Sequence, residues 1–424
     1  MKVEVQSRKL IKPSAPTPNH HCKLNLSCID ELQHPGYAGF LFYYRADGEN
    51  REDDTFQRLR LLEESLSETL VNFYPLAGRY IEEGLFIDCN DQGVEFVHAR
   101  VNCQLDHLLQ GGFDVDLLSC LSKFPLGLAG NPLVVIQVNV FDCRGLVISL
   151  RSCHKLGDMS TMATFMNSWA TVCRSGINEL ASPYFNLSSL FPVKGSVVTR
   201  WPPLRGGVKF TMNRFIFSGA ALSRLKLAAA KIERISRVEV VCALLCKVFV
   251  TMDREKHGRL RPFVVCHSMN LRGRVNLPIP TNAFGNFYTM VVGRHTMDQN
   301  GLNLEAFAKV IHDTFVSAKT RYAATADGES CMNMVKDSIR ESKEWAAHSD
   351  RENVVAFSSW CGFPFYDIDF GWGKPDLVSN TCIPVRMVFL IDSKSEGGID
   401  AWIMLSPEEK VLLEQDPDIV AFTS

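Results

Sequence analysis

Leu133-Val-Val-Ile-Gln-Val-Asn-Val-Phe141 and Leu146-Val-Ile-Ser-Leu-Arg-Ser-Cys153, parted by Asp142-Cys-Arg-Gly145, run straight into His154-Lys-Leu-Gly-Asp158. The two flanking stretches are dense in Val and Ile around a turn-forming tetrapeptide, so they read as a β-hairpin. His154 falls where the second strand ends. Met159 to Cys173 returns to helical composition, which makes Asp158 a helix start. Strand, strand and helix in succession point to an α/β protein with an imidazole at the junction.

Working outward, Phe56, Leu59, Leu62, Leu66, Leu70 and Phe73 recur at spacings of three and four between charged residues, an amphipathic helix ended by Pro75. The run from Gly84 to Val97 reads as two short strands around Asn90-Asp-Gln-Gly93. Later in the chain come Phe215-Ile-Phe217, a helix over Ala220 to Glu233, and Ser236-Arg-Val-Glu239, a capping-box pattern opening a long apolar helix. Phe263 to Met269 and Met387 to Ile391 have the composition of buried strands. At 424 residues the chain exceeds the size at which one core keeps growing, so two domains are expected. The Pro-rich, aperiodic stretch 183–207 is the linker, leaving an N-terminal α/β domain over 1–182 and a C-terminal one over 208–424.

With 46% hydrophobic and 22% charged residues and a formal net charge of -2, the composition is that of an ordinary soluble protein and offers no electrostatic case for nucleic acid. No apolar signal region follows the charged first residues, and no run approaches the roughly 18 apolar residues that span a bilayer. A cytoplasmic, membrane-free protein is expected. The 14 Cys show neither CxxC pairs nor Cys/His zinc spacing, so they read as reduced, mostly buried residues, and no metal is expected.

Two motifs carry the chemistry. Among the 11 His, only His154 has an Asp four positions on, a pattern that is weak by itself. Asp369-Phe-Gly-Trp-Gly373-Lys374-Pro375 is far more specific, with two Gly and a Trp between an acidic and a basic residue. Its Asp-Phe-Gly opening also occurs in kinases, but no His-Arg-Asp loop, glycine-rich phosphate loop or Val-Ala-Ile-Lys strand accompanies it. No Gly-x-Ser-x-Gly elbow or HExxH appears either.

The pair resembles the signature of the BAHD acyltransferases, plant enzymes that use acyl-CoA to esterify alcohols or acylate amines. Further matches run along the chain at Asn72-Phe-Tyr-Pro-Leu-Ala-Gly-Arg79, Asp88-Cys-Asn-Asp-Gln-Gly-Val94, Asn270-Leu-Arg-Gly-Arg274, Gly285-Asn286 and Ser358-Ser-Trp-Cys361. Their wording is most similar to the alkaloid-acetylating group of that family. Gly157 and Met159 depart from common family residues and set the chain apart from the branch acylating phenolic acids and shikimate. The resemblance implies two chloramphenicol-acetyltransferase-like domains with mixed sheets flanked by helices, and an active-site channel at their interface. It also implies acetyl-CoA, or another acyl-CoA such as malonyl- or benzoyl-CoA, as co-substrate, and a small-molecule alcohol, or an amine, as acceptor. A monomer is expected, and a non-catalytic binding relative is the reading from another class.

Acyl transfer from a thioester to an alcohol requires removal of the alcohol proton, and imidazole, with a pKa near 6.5, suits that task. His154 is the candidate base. The resemblance makes Asp158 structural, paired with Arg274 or, second, Arg272, and gives Asp369, Gly371 and Gly373 the task of shaping the CoA channel. Asp369, like Asp158, is expected to hold an arginine in an ion pair. Ser359, Trp360 and Trp372 are the candidate cofactor-side residues. Trp372, Asn286 or a backbone amide stand as candidates for the oxyanion donor. Cys153 is the one near nucleophile, and strand alternation turns it away from the base.

Overall fold

The structure, a computed structural model, describes residues 1–46, 52–111, 113, 115–124, 127–128, 130–177, 182–193, 210–298, 301–347, 352–381, 387–395 and 397–423. Its packing divides the chain into two units: Met1–Thr199 with Ile279–Phe287 and Phe363–Ile383, and Arg200–Pro278 with Tyr288–Gly362 and Pro384–Ser424. Each is discontinuous in sequence.

The first unit holds strands β1 (Val3–Ile11), β2 (Lys23–Asn25), β3 (Tyr37–Tyr44), β4 (Arg79–Ile81), β5 (Phe86–Asp88), β6 (Val94–Val101), β7 (Val134–Phe141) and β8 (Leu146–Cys153). Its helices are α1 (Cys28–Glu31), α2 (Glu52–Asn72), α3 (Leu105–Gly111), α4 (Val115–Cys120), α5 (Met159–Ser175) and α6 (Leu187–Leu190). A six-stranded sheet runs β1-β6-β7-β8-β3 and ends on β13 (Leu377–Asn380), a strand returned from late in the chain. It is mixed: β6 and β7 are parallel and the other neighbours antiparallel. The expected hairpin is β7 and β8, and every residue in both strands is buried. Polar residues inside it are satisfied. Arg151, 2% exposed, donates from Nε to the carbonyl and hydroxyl oxygens of Ser122 and lies over the Phe124 ring.

Leu59, Leu62, Leu66 and Leu70 of α2 are buried as the spacing requires, whereas Phe56 is 73% exposed. The buried stripe thus begins one turn later than the apolar pattern. α2 packs on α5, whose Trp169 indole donates to the carbonyl of Leu62 and the hydroxyl of Ser65. The two short strands expected over 84–97 both form but join different sheets: β5 lies between β2 and β4, and β6 between β1 and β7. Of the linker proposed over 183–207, the part 194–207 lies outside the described residues. The earlier part is packed: Leu187 and Phe191 are buried, and Tyr184 bridges to Ala283.

The second unit has its own six-stranded sheet, ordered β11 (Tyr288–His295), β10 (Phe263–Asn270), β12 (Asn353–Ser359), β14 (Val388–Asp392), β15 (Ile399–Leu405) and β9 (Thr211–Phe217). β12 runs parallel to both β10 and β14, and the other pairs are antiparallel. Its helices are α7 (Gly219–Ala228), α8 (Arg237–His257), α9 (Leu304–Ala323), α10 (Gly328–Ala347), α11 (Pro407–Gln415) and α12 (Pro417–Phe422). Ser236 and Glu239 form the expected capping box of α8, and Gly258 ends that helix in a left-handed conformation. The helix expected over Ala220 to Glu233 stops at Ala228, before a turn in which Arg234 takes a positive φ of 58°. Two mixed sheets flanked by helices are the α/β architecture expected. No helix among the described residues is long and apolar enough to cross a membrane.

Candidate active site

His154 is the first residue past β8, and its main chain is held from two sides. Its N–H donates to the carbonyl of Gly36 (2.9 Å), and its carbonyl accepts from Asn286 Nδ2 (2.8 Å). Part of the residue stays exposed. Its ring is nevertheless deep enough that burial lowers its pKa below the ordinary histidine value, against opposing contributions from its own backbone, Asp158 and the Asn286 side chain. A lowered pKa keeps the imidazole neutral near pH 7, the form that accepts a proton.

Asp158 caps α5, as the sequence suggested. Its Oδ1 accepts from the backbone N–H (3.0 Å) and the hydroxyl (3.2 Å) of Thr161, and its Oδ2 accepts from the backbone N–H of Phe287 (2.8 Å). The single Thr161 hydroxyl proton is shared between Asp158 and the nearer carbonyl of Gly285 (2.8 Å), and Thr161 Oγ1 accepts the Gly285 N–H (3.2 Å). The short segment Gly285 to Phe287 is therefore strapped to the start of α5. Residues within the first unit thus supply a structural task for Asp158. Arg274, proposed as its partner, belongs to the second unit, where its Nη1 donates to the carbonyl of Asn270 (2.6 Å). There it lines a cavity of about 390 Å³ with Gly273, Val275, Asn276, Lys319 and Ala323.

Asn286 also meets a residue that the sequence reading missed. Asp30, 3% exposed, accepts from both the backbone N–H (2.6 Å) and Nδ2 (2.9 Å) of Asn286. Burial raises its pKa to about 6, against hydrogen bonds from Ser27 and Asn286 that favour the charged form. Ser27-Cys-Ile-Asp30 is legible as a capping box, and it is one. Nothing in that pattern announces Asn286 as a partner more than two hundred residues away. Next to His154, Lys155 makes a buried ion pair with Glu31 (2.9 Å) and also donates to the Glu31 carbonyl (3.0 Å).

Cys153 is fully buried, and burial pushes its thiol pKa up to about 12. So little thiolate exists at neutral pH that it is a poor nucleophile there.

In the second motif, Asp369 Oδ1 accepts from the backbone N–H groups of Gly371 (2.8 Å) and Gly373 (2.9 Å), closing a tight loop. Gly371 and Gly373 have φ of 109° and 103°, where side chains are strained, although nothing crowds a Cβ at either position. The glycines serve the turn and not a close approach. The arginine partner expected for Asp369 is not at its carboxylate: Arg174 reaches the Asp369 backbone carbonyl at 3.5 Å, and among the described residues the carboxylate makes no ion pair. The two inward amides take the place of that arginine. Trp372 stacks on Phe370, which meets Trp169 edge-on, and the Arg58 guanidinium lies over the Trp372 ring.

Ser359 and Trp360 lie in the second unit at the end of β12. Ser359 Oγ accepts from the Cys361 N–H (3.4 Å). Trp360 is buried against Phe389, and its indole donates to Ser358 Oγ (3.1 Å). His154, Asp158 and the Asp369 loop thus share the first unit, while Arg274, Ser359 and Trp360 belong to the second.

A partly exposed histidine whose imidazole is kept neutral by burial, with a pinned main chain at the end of a mixed-sheet strand, is equipped to accept a proton. The family model of the Transferase family matches residues 1–419. The chain is 38% identical to acetyl-CoA-benzylalcohol acetyltransferase of Clarkia breweri over the full length of both. It is 31% identical to stemmadenine O-acetyltransferase of Catharanthus roseus, covering 98% of this chain and 96% of that protein. The crystal structure of vinorine synthase superposes with a TM-score of 0.83 at 29% identity, covering 100% of this chain and 99% of that one. The chain belongs to the BAHD acyltransferase family and is an acyltransferase.

Proposed function

We propose that this acyltransferase moves an acetyl group from acetyl-CoA to a hydroxyl of a plant specialised metabolite, an alkaloid or terpenoid, by direct transfer with His154 as general base. The observation that carries this reading is the neutral imidazole of the partly exposed His154, on a main chain held by Gly36 and Asn286. His154 takes the hydroxyl proton as the acceptor oxygen attacks the thioester carbon, and the imidazolium returns it to the departing CoA thiolate. Stemmadenine O-acetyltransferase and vinorine synthase, each 31% identical, support an alkaloid acceptor. The higher identity of 38% to the benzylalcohol enzyme favours a second acceptor class, a small aromatic alcohol.

In this reading Asp158 is structural, holding the segment Gly285 to Phe287 to the start of α5, and the Asp369 loop with Gly371 and Gly373 maintains the CoA side. Ser359, Trp360 and Trp372 are the candidate residues for contact with acyl-CoA. Arg274 and Lys319, on the wall of one cavity, are the basic residues suited to meet phosphate oxygens. The enzyme works as a cytoplasmic monomer.

The test is incubation with acetyl-CoA and a panel of indole-alkaloid, terpenoid and benzyl-type alcohols, read by mass spectrometry, with malonyl- and benzoyl-CoA as donor controls. Acetyl esters that form with wild type and vanish with His154→Ala are expected. Double-reciprocal plots should intersect, and Cys153→Ala should remain active. A protein that gains acetyl mass from acetyl-CoA alone, on Cys153, would replace the general-base reading with covalent catalysis.

A further inference from the structure

Asp30 uses its two carboxylate oxygens for different tasks. Oδ2 accepts from the backbone N–H (2.8 Å) and hydroxyl (2.7 Å) of Ser27, which closes the capping box of α1. Oδ1 takes both the main-chain and side-chain donors of Asn286. The same Nδ2 of Asn286 reaches the His154 carbonyl. A carboxamide has two donor hydrogens, both on nitrogen, and its oxygen only accepts. With Nδ2 committed to two acceptors, flipping the amide would set oxygen lone pairs against the Asp30 carboxylate and the His154 carbonyl at once. One orientation is therefore locked. Asn286 is fully buried, and its Oδ1, on the opposite arm, has no hydrogen-bond partner among the described residues. That side chain also favours the protonated imidazole of His154, as an acceptor near the ring does.

We propose that Asp30 is a positioning residue for acyl transfer: it locks the Asn286 carboxamide so that Nδ2 holds the His154 main chain while Oδ1 faces the imidazole. During the proton transfer Oδ1 then stabilises the imidazolium through the ring edge away from the acceptor. This rests on His154 being the base.

The test uses the full-length enzyme with acetyl-CoA and an alcohol it acetylates, comparing Asp30→Ala, Asn286→Ala and the double variant. Each single change lowers kcat by about tenfold or more, a part of what general-base catalysis supplies, and leaves the KM for acetyl-CoA unchanged. The acid limb of kcat/KM moves to lower pH, because an acceptor near the ring has been lost or is no longer held in place. The double variant is no slower than Asn286→Ala alone, since Asp30 acts through Asn286. Wild-type kcat and pH profile in Asp30→Ala, or additive losses in the double variant, would overturn the proposal. Should Asp30→Ala not fold, Asn286→Ala decides: an unchanged kcat and pH profile there rejects it equally. Failure of the underlying reading looks different, because wild type would then transfer no acetyl group or His154→Ala would match it.

Discussion

The carboxylate of Asp158 accepts the backbone N–H of Phe287 at 2.8 Å, which makes this aspartate a clamp between the start of α5 and a segment 129 residues away. Removing it in Asp158→Ala takes away a helix cap and leaves the N–H of the fully buried Phe287 without its acceptor. The two losses together amount to about 2–4 kcal/mol. Thermal melting should show a clear drop in stability along with the loss of activity. A variant that melts like wild type but is inactive would assign Asp158 a chemical role.

His154→Ala should act in the opposite way. Both main-chain bonds of His154 survive the substitution, so melting should barely change while turnover falls by about a hundredfold to ten-thousandfold.

If His154 is the general base, as proposed, it should also set the acid limit of activity in the wild-type enzyme. Its pKa is lowered by burial, so the active neutral form is lost only below the ordinary value of 6.5. The kcat/KM profile should rise with pH, bend below 6.5 and be flat through neutrality. An acid limb centred above 6.5 would contradict the assignment.

Asp369 separates two explanations by substitution chemistry. One oxygen, Oδ1, accepts both glycine amides, and an asparagine carries that oxygen too. Asp369→Asn should therefore keep nearly full stability and activity, whereas Asp369→Ala should lose about 1 kcal/mol and much of its activity. If charge toward an arginine were the main contribution, the two variants would be equally impaired in melting and in turnover.

Acid sensitivity of the fold has a source in the second unit. His267 of β10 is 3% exposed between Phe315 and Phe357, and burial lowers its pKa to about 4 from 6.5. Between those values the unfolded chain binds a proton that the folded one refuses. This residue's contribution is thus intact above pH 6.5 and is lost as pH falls toward 4, by roughly 3 kcal/mol. Asp30, raised to about 6 from 3.8, works in the opposite direction over nearly the same window, because the folded state then holds the extra proton. His267→Phe should flatten the fall in melting temperature between pH 7 and pH 4 relative to wild type. An unchanged slope would remove His267 from the account.

The local elements were legible because local physics makes them. The Val/Ile-dense hairpin at Leu133 to Cys153, the capping box at Ser236 and the cap at Asp158 each depend on residues a few positions apart. His154 at the strand end and the glycine turn after Asp369 were visible for the same reason, and the resemblance supplied their chemical meaning. Long-range pairing left no such mark. β13 closing the first sheet, β5 and β6 parting into different sheets, and Asp30 gripping Asn286 all join positions whose neighbours in sequence look ordinary. The sequence by itself determined which segments become strand or helix and where an imidazole would stand. Only the tertiary structure decided which buried donors and acceptors meet, because an unpaired polar group costs nothing until folding removes it from water.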